Sequence, residues 1–166
     1  MIELIPLSYN GREMFIQRNQ AAFMKAVIEK FGPQTEEVIS REDILSSLNT
    51  ETAESFNIVL DGKIVGGVVV QIDKDTGHNS LDLLFVDPEI HGKNIGYTAW
   101  KMIEKKYPET MIWETHTPYF ETRNIHFYVN KCGFHIVEFY NPKHPDPHQV
   151  NTPGGEFFFR FEKRMK

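Results

Sequence analysis

The stretch from Leu81 to Lys106 has the pattern of an anion-binding site. The apolar strand pattern LDLLFV is followed by a turn at Asp87-Pro88, a basic and amide-rich loop at 91–96, and an amphipathic helix pattern. The first N–H groups of a helix have no intrahelical acceptors, and the helix dipole adds partial positive charge there. This stretch therefore predicts a site for an anion, and phosphate is the anion we expect.

Three other side chains have the chemistry for proton transfer. Asp82 is the only charged residue of LDLLFV, Glu114 lies mid-strand in MIWETHT, and Tyr128 lies at helical spacing from Ile125 and Val129. A carboxylate can accept a proton, and a tyrosine hydroxyl, with an ordinary pKa of about 10, can protonate a leaving group. Each residue also has a purely structural interpretation. Asp82 can mark the solvent-exposed end of a strand, Glu114 can face solvent, and Tyr128 can pack in the core.

The elements that must position these residues alternate between helix and strand patterns. Asp61-Gly62 between two apolar runs predicts a β-hairpin, and Gly66-Gly67 indicate a bulge or a close backbone approach. Phe157, Phe159 and Phe161 share one face of the last strand. The expected order begins with strand 2–7, a helix capped by Asn10 with Glu13 and ended by Gly32-Pro33, and a second helix from Ser40 through Leu48. The hairpin 55–72, the strand from 81 and the central helix follow. The chain then continues with strand 111–117, a helix 123–132 ended by Gly133, and strands 135–140 and 156–162.

Length and composition limit the function classes. The 166 residues fit one domain, 1–166, and the net charge of −5 argues against a nucleic-acid or anionic-membrane partner. No apolar run reaches membrane-spanning length, and Met1 leads directly into a strand pattern. The one cysteine, Cys132, cannot form an internal disulfide, which favours a reducing, cytoplasmic setting. Cys132, Trp100 and Trp113 are expected in the core.

Two motifs together resemble the GNAT superfamily of N-acetyltransferases, over nearly the whole chain. The first is FVDPEIHGKNIGYTAW, with His91, Asn94 and Gly96 at the family's signature positions, and the second is HFYVNKCGF, about 30–40 residues later. Asn94 replaces the usual glycine, and asparagine tolerates left-handed backbone angles. His91 replaces Gln or Arg, and Tyr128 precedes the glycine of the second motif by five residues rather than the usual four.

The resemblance implies a mixed α/β (α+β) fold. The sheet is mostly antiparallel, has helices on both faces and splays at one central parallel pair to admit acetyl-CoA. The pyrophosphate is expected on the amides from Gly92 to Tyr97, and the pantetheine beside the strand end, with the thioester near Phe85. The cofactor-binding residues so implied are Leu84, Phe85, Val86, His91, Gly92, Lys93, Asn94, Ile95, Gly96, Tyr97 and Asn124. Lys93 is a phosphate contact or a solvated side chain.

The implied reaction is acetyl transfer to a primary amine by direct attack in a ternary complex. Tyr128 is the expected acid, and Asp82 or Glu114 the base unless water or the substrate removes the proton. A small-molecule amine is favoured. A peptide or protein amino group, or a non-catalytic acyl-CoA sensor, remains an alternative. A homodimer is possible if the Phe-rich last strand is a sheet edge rather than core.

The segment 141–155 is the other feature of note, because a proline-rich insert of this length is typical of a functional lip or a mobile segment. It contains His144-Pro-Asp-Pro-His148, whose histidines are metal-ligand types. With prolines between them and no third cluster nearby, an acceptor-side loop is favoured and no metal is expected.

Overall fold

The computed structural model describes residues 1–34, 39–90, 94–147 and 157–166. One seven-stranded sheet in the order β1-β2-β3-β4-β5-β7-β6 organises them. The elements are β1 (Ile2–Pro6), α1 (Arg12–Phe31), α2 (Arg41–Asn49), β2 (Ala53–Leu60), β3 (Lys63–Gln71), β4 (His78–Val86), α3 (Ile95–Lys106), β5 (Ile112–Pro118), α4 (Thr122–His126), β6 (His135–Tyr140) and β7 (Phe158–Arg164). Every strand pair is antiparallel except β4–β5, which confirms the predicted fold class.

The parallel pair β4–β5 is short and then separates. Its register runs only from His78 opposite Ile112 to Ser80 opposite Glu114. At the next residue the Thr115 hydroxyl donates a 2.9 Å hydrogen bond to the Leu81 carbonyl. We call this point, Leu81 with Thr115, the fork. Beyond it, the side of β4 that faces β5 has no strand partner among the described residues.

Helices cover both faces of the sheet, as predicted. On one face α3 packs through Trp100, whose ring meets Trp113 at a centroid distance of 5.0 Å; both are almost fully buried. Cys132 belongs to the same core cluster, so all three expected core residues are confirmed. On the other face α1 packs against β3 and β4 and α2 packs against β2, with Phe15 of α1 meeting Phe85 edge-on at 5.1 Å.

The helix boundaries follow local capping chemistry, with one correction. Ser40 caps α2 as predicted, since its Oγ accepts a 3.0 Å bond from the Asp43 N–H, and Gly32 ends α1 at φ +83°. The predicted cap of the first helix is wrong. A short 3-10 turn, Tyr9–Gly11, precedes α1, and it is Ser8 that accepts a 3.1 Å bond from the Gly11 N–H.

The Phe-rich last strand lies inside the sheet. β7 pairs with β5 on one side and with β6 on the other, and Phe161 is fully buried. The interpretation of this strand as an edge is therefore wrong, and among the described strands the edges are β1 and β6. In the parts of the chain described here, no helix combines the length and apolarity needed to cross a membrane.

Candidate active site

A cleft of about 990 Å³ opens where β4 and β5 separate. β4 and β5 form its floor, α4 closes one side, and α1 and α2 lie over it. Its lining includes several of the predicted site residues, namely Asp82, Leu84, Phe85, Val86, Gly96, Asn124 and Tyr128. The fork thus gathers side chains from distant parts of the sequence into one space.

Helix α1 crosses the gap between the separated strands. Near its start Phe15 packs on Phe85 of β4, and near its end Phe31 meets Phe120, which follows β5, at 5.0 Å. Val27 packs against Phe120 as well. The middle of α1 therefore spans the cleft.

The Gly66-Gly67 pair permits this close packing. A Cβ on Gly67 would lie 2.3 Å from Cε2 of Phe15, and one on Gly66 would lie 2.2 Å from the Phe85 carbonyl oxygen. Real Cβ atoms do not approach other heavy atoms so closely. The predicted close backbone approach is confirmed, and it sets the distance between α1 and the end of β4.

The start of α3 has the geometry expected of an anion site. Asn94 adopts a left-handed conformation, φ +51° and ψ +32°, in the position that glycine usually holds in the family. The first helical bond runs from the Thr98 N–H to the Asn94 carbonyl at 2.9 Å. The N–H groups of Ile95, Gly96 and Tyr97 therefore precede the intrahelical bonds. His91, Gly92 and Lys93 lie outside the described residues.

Tyr128 lies against the cleft with its ring in the core. It is 6% exposed and meets the rings of Phe127, Phe134 and Phe161 at centroid distances of 5.4, 5.6 and 5.6 Å. Burial raises the pKa of its hydroxyl above the ordinary value, and a hydrogen bond with the Thr115 side chain opposes that rise. Tyr128 borders the cleft, as a functional role requires, and its ring also packs in the core, as a structural role requires.

A π-helical turn explains the unusual spacing of the second motif. Residues Phe127–Lys131 form it, and the Cys132 N–H donates to the Phe127 carbonyl five residues back at 3.0 Å. Gly133 then ends the turn at φ +82°. The wider turn takes up one additional residue, so Tyr128 can reach the cleft although it stands five residues before Gly133.

Asp82 lies at the cleft, and hydrogen-bond donors already surround it. Its Oδ2 accepts from Ser47 Oγ and Gln71 Nε2, both at 2.7 Å, and its Oδ1 accepts from Ser80 Oγ at 3.0 Å. Asp82 is also the residue skipped in the β3–β4 register, where Val70 pairs with Leu81 and Val69 with Leu83. These bonds hold its carboxylate in place, and each of its oxygens accepts at least one of them.

Glu114 does not line the cleft. Its Oε1 accepts a 2.9 Å bond from Arg160, which also contacts Glu138 at 2.8 Å and Glu162 at 2.6 Å. His78, Glu114 and Glu162 place potential ligand atoms within 4.8 Å of one another. The guanidinium of Arg160 already pairs with the carboxylates of Glu114 and Glu162. Their negative charge is therefore balanced by a protein side chain.

His116 is a cleft residue that the sequence interpretation missed. It lies on β5 two residues beyond Glu114 and so shares its face of the sheet, but it lies past the fork and lines the cleft. His116 is exposed, yet surrounding protein atoms partly desolvate its ring and lower its pKa, while Glu114 acts in the opposite direction. The alternation of MIWETHT was the signal that could have identified it.

Asn124 and Glu121 form a polar pair at the α4 side of the cleft. Asn124 Nδ2 donates to Glu121 Oε2 at 2.9 Å and to Thr117 Oγ1 at 3.4 Å. Burial raises the pKa of Glu121, and Arg123 opposes the rise. Asn124 was expected from the sequence and Glu121 was not.

Solved structures with this architecture include two N-acetyltransferases. The ribosomal-protein-S18-alanine N-acetyltransferase from Escherichia coli matches 100% of this chain and 95% of its own, with TM-score 0.73 and 14% identity. The PaiA N-acetyltransferase from Thermoplasma acidophilum, solved in complex with coenzyme A, matches 99% of both chains, with TM-score 0.68 and 18% identity. The splayed sheet described above is therefore the GNAT fold.

Sequence comparison agrees with the fold. The acetyltransferase (GNAT) family matches residues 21–134, and the chain belongs to this family. It is also similar to the uncharacterized protein YrkN of Bacillus subtilis (strain 168), at 52% identity over 161 residues, which are 92% of this chain and 87% of that protein. Family membership supports acyl transfer from coenzyme A as the activity.

Proposed function

We propose that this protein transfers the acetyl group of acetyl-CoA to a primary amine of a small molecule, by direct attack in a ternary complex. The observation that best supports the proposal is the convergence of His116 and Tyr128 on the cleft beyond the fork. A group suited to accept a proton and a group suited to donate one thus border the same space. Acetyl transfer from a thioester to an amine requires both.

The residues present fit coenzyme A. The first N–H groups of α3, at Ile95, Gly96 and Tyr97, are suited to the pyrophosphate, and Asn94 holds the turn that presents them. Beyond the fork, no described strand pairs with the side of β4 that faces the cleft, so an extended, amide-containing chain such as pantetheine could pair there. The cofactor supplies the activated acetyl thioester, which we expect near Phe85.

His116 is the base that the cleft favours. Asp82 already accepts three hydrogen bonds, and Glu114 is paired with Arg160 away from the cleft. His116 has a lowered pKa and is therefore neutral, and able to take a proton, at physiological pH. Its placement on β5 sets it across the gap from the strand expected to hold the thioester.

Tyr128 is the proposed acid. In the overall transfer an N–C bond forms and the C–S bond breaks, so one proton must leave the amine and one must reach the sulfur. His116 accepts the first, and the Tyr128 hydroxyl donates the second. Because burial raises the pKa of Tyr128, its hydroxyl stays protonated until sulfur becomes negatively charged.

A thiol-release assay tests this proposal. Purified protein is mixed with acetyl-CoA and a panel of amines and small peptides, free thiol is followed, and the acetylated product is identified by mass spectrometry. We expect thiol release that depends on a small-molecule amine. Release only with peptides would make the protein a peptide acetyltransferase. Tight cofactor binding without release on any acceptor would favour a non-catalytic acyl-CoA-binding module.

The placement of the pyrophosphate is tested separately with Gly96→Val. A Cβ at this position would lie 3.6 Å from Phe127 Cζ, an ordinary contact, so the fold should tolerate it. A side chain there would obstruct the N–H groups, and we expect coenzyme A affinity to fall roughly tenfold or more, the effect of about 1.4 kcal/mol. Thr98→Val, one turn beyond Asn94, is the matched control, and calorimetry measures both. Unchanged affinity in Gly96→Val would contradict the placement.

A further inference from the structure

Asn19 carries an unexplained hydrogen-bond donor at the cleft. It is 5% exposed, it lines the cleft, and its Nδ2 is buried with no acceptor within the described part of the chain. Leaving a buried donor unpaired costs roughly 1–3 kcal/mol. Such groups are uncommon in native proteins, and strain, a functional role, a water or an ion usually explains them. Asn19 borders the cleft, which makes a functional role the explanation to test.

The position of Asn19 sets it over the reaction space. It lies one helical turn beyond Phe15, which rests on Phe85, so it belongs to the part of α1 that spans the gap. The next cleft-lining positions on the same face, Ala22, Phe23 and Ala26, are apolar. Asn19 is therefore the polar group at the β4 end of this stripe, whose other end carries Glu29 and Lys30.

We infer that Asn19 determines acceptor specificity by donating a hydrogen bond from Nδ2 to a carbonyl oxygen of the acceptor. The inference rests on the proposed function and narrows it to amines that carry a carbonyl group, such as amino amides. A plain alkylamine or polyamine has no carbonyl oxygen to accept this bond and leaves Nδ2 unpaired. A site built to hydrogen-bond its substrate rejects analogues that lack the partner group.

The same carbonyl chemistry is also present in the pantetheine arm and thioester of acyl-CoA. The two sources make different predictions. If the carbonyl belongs to the acceptor, removal of the donor changes the choice between amines and leaves coenzyme A affinity unchanged. If it belongs to the cofactor, affinity for acetyl-CoA falls and the choice between amines does not change.

The test compares leucinamide with 3-methylbutylamine, which lacks only the carboxamide. Binding of each to protein saturated with coenzyme A is measured by ligand-observed NMR, and kcat/KM with acetyl-CoA is measured in parallel. We expect the wild type to favour leucinamide, and Asn19→Leu, which keeps the size but removes the donor, to lower that preference roughly tenfold. The preference is expressed as the ratio of the values for the two amines, and this ratio is compared between variant and wild type. The different basicities of the two amines then cancel.

Gln20→Leu is the matched control. Gln20 is the next residue of α1 and also carries a side-chain amide, but its Nε2 already donates to the Ile39 carbonyl at 3.1 Å. The substitution therefore removes an amide whose donor has a partner within the protein. We expect it to keep the wild-type preference for leucinamide. Thermal unfolding of both variants separates loss of fold from loss of preference.

Each outcome decides the inference. A preference unchanged in Asn19→Leu, no detectable binding of leucinamide to the wild type, or a loss of acetyl-CoA affinity alone would overturn it. An Asn19-dependent binding preference without acetylation of either amine would leave the inference standing and count against the proposed function. Failure of the inference about Asn19 is thereby distinguishable from failure of the proposed function.

Discussion

The rings of His116 and Tyr140 lie almost parallel, with centroids 6.2 Å apart and planes 12° apart. Tyr140 in turn stacks with His144 at 5.4 Å, and Glu138 accepts hydrogen bonds from the Tyr140 hydroxyl at 2.9 Å and from Arg160 at 2.8 Å. His116, the candidate base, therefore stacks on Tyr140, which in turn stacks on His144 at the beginning of the proline-rich segment after β6. Its orientation depends on an anchored neighbour rather than on its own strand alone.

His116→Gln should lower kcat with the acceptor amine roughly 10²- to 10⁴-fold, the usual contribution of a general base. In the wild type the neutral imidazole is the active form. Because desolvation lowers the pKa of His116 below its ordinary 6.5, activity should be lost only as the pH falls below that value. The pH profile of kcat, which reports groups of the enzyme–substrate complex rather than the free amine, checks both statements when measured with and without the substitution.

Glu114→Gln separates this assignment from the carboxylate alternative. Glu114 raises the pKa of His116, so its neutralisation should move the acidic limb of the pH profile to lower pH and leave the maximal rate similar. The reverse pattern, an inactive Glu114→Gln beside an active His116→Gln, would make Glu114 the base. Circular dichroism of both variants verifies that the fold is retained.

Tyr128→Phe should lower kcat roughly 10²-fold or more, because the departing thiolate loses its proton donor. The ring and its contacts with Phe134 and Phe161 remain, so the affinity for acetyl-CoA should change little. Thiol release with a validated acceptor gives kcat, and calorimetry gives the affinity. Turnover equal to the wild type would leave Tyr128 as a core residue only.

Gly67→Ala should lower the free energy of unfolding by about 1–3 kcal/mol, as overpacked cores do. The new Cβ would lie 2.3 Å from the Phe15 ring and 2.8 Å from Phe85 Cε1, so α1 or the end of β4 must move. Denaturant unfolding measures the loss. Phe15→Leu in the same chain shortens the obstructing side chain and should recover part of it. Full wild-type stability of the single variant would show that this packing is looser than described.

Local signals predicted most of the elements because their causes are local. Asp61 and Gly62 take φ +49° and +84° in the hairpin turn, as their residue types predict, and Asn94 takes the left-handed angles. The first helix cap was mistaken because Ser8 and Asn10 are both good cap residues and only the 3-10 turn decides between them. Such competition between neighbouring caps is not resolved by residue type.

Long-range relationships were the part that local patterns could not supply. The periodicity of the last strand predicted its buried face and not its insertion between β5 and β6. Alternation in β5 likewise put Glu114 and His116 on one face. The fork at Leu81 and Thr115 decides which of the two reaches the cleft, and it arises from the pairing of strands distant in sequence. The sequence therefore offered a carboxylate on β5, Glu114, whereas the base proposed here is His116 on the same strand.

Glu138→Gln should destabilise the protein in a pH-dependent way. Hydrogen bonds from His144, Arg160 and Tyr140 lower the pKa of Glu138 from 4.5 to about 2. A carboxylate with a lowered pKa in the folded state stabilises the protein above its ordinary pKa, and that contribution is lost as the pH falls toward the folded value. The Tm of Glu138→Gln should thus lie below the wild type at pH 7, and the difference should shrink between about pH 4.5 and pH 2. Glu51→Gln, at an exposed position before β2, is the control and should show a much smaller change. A Tm difference that stays constant across this range would mean that Glu138 acts through packing rather than through its charge.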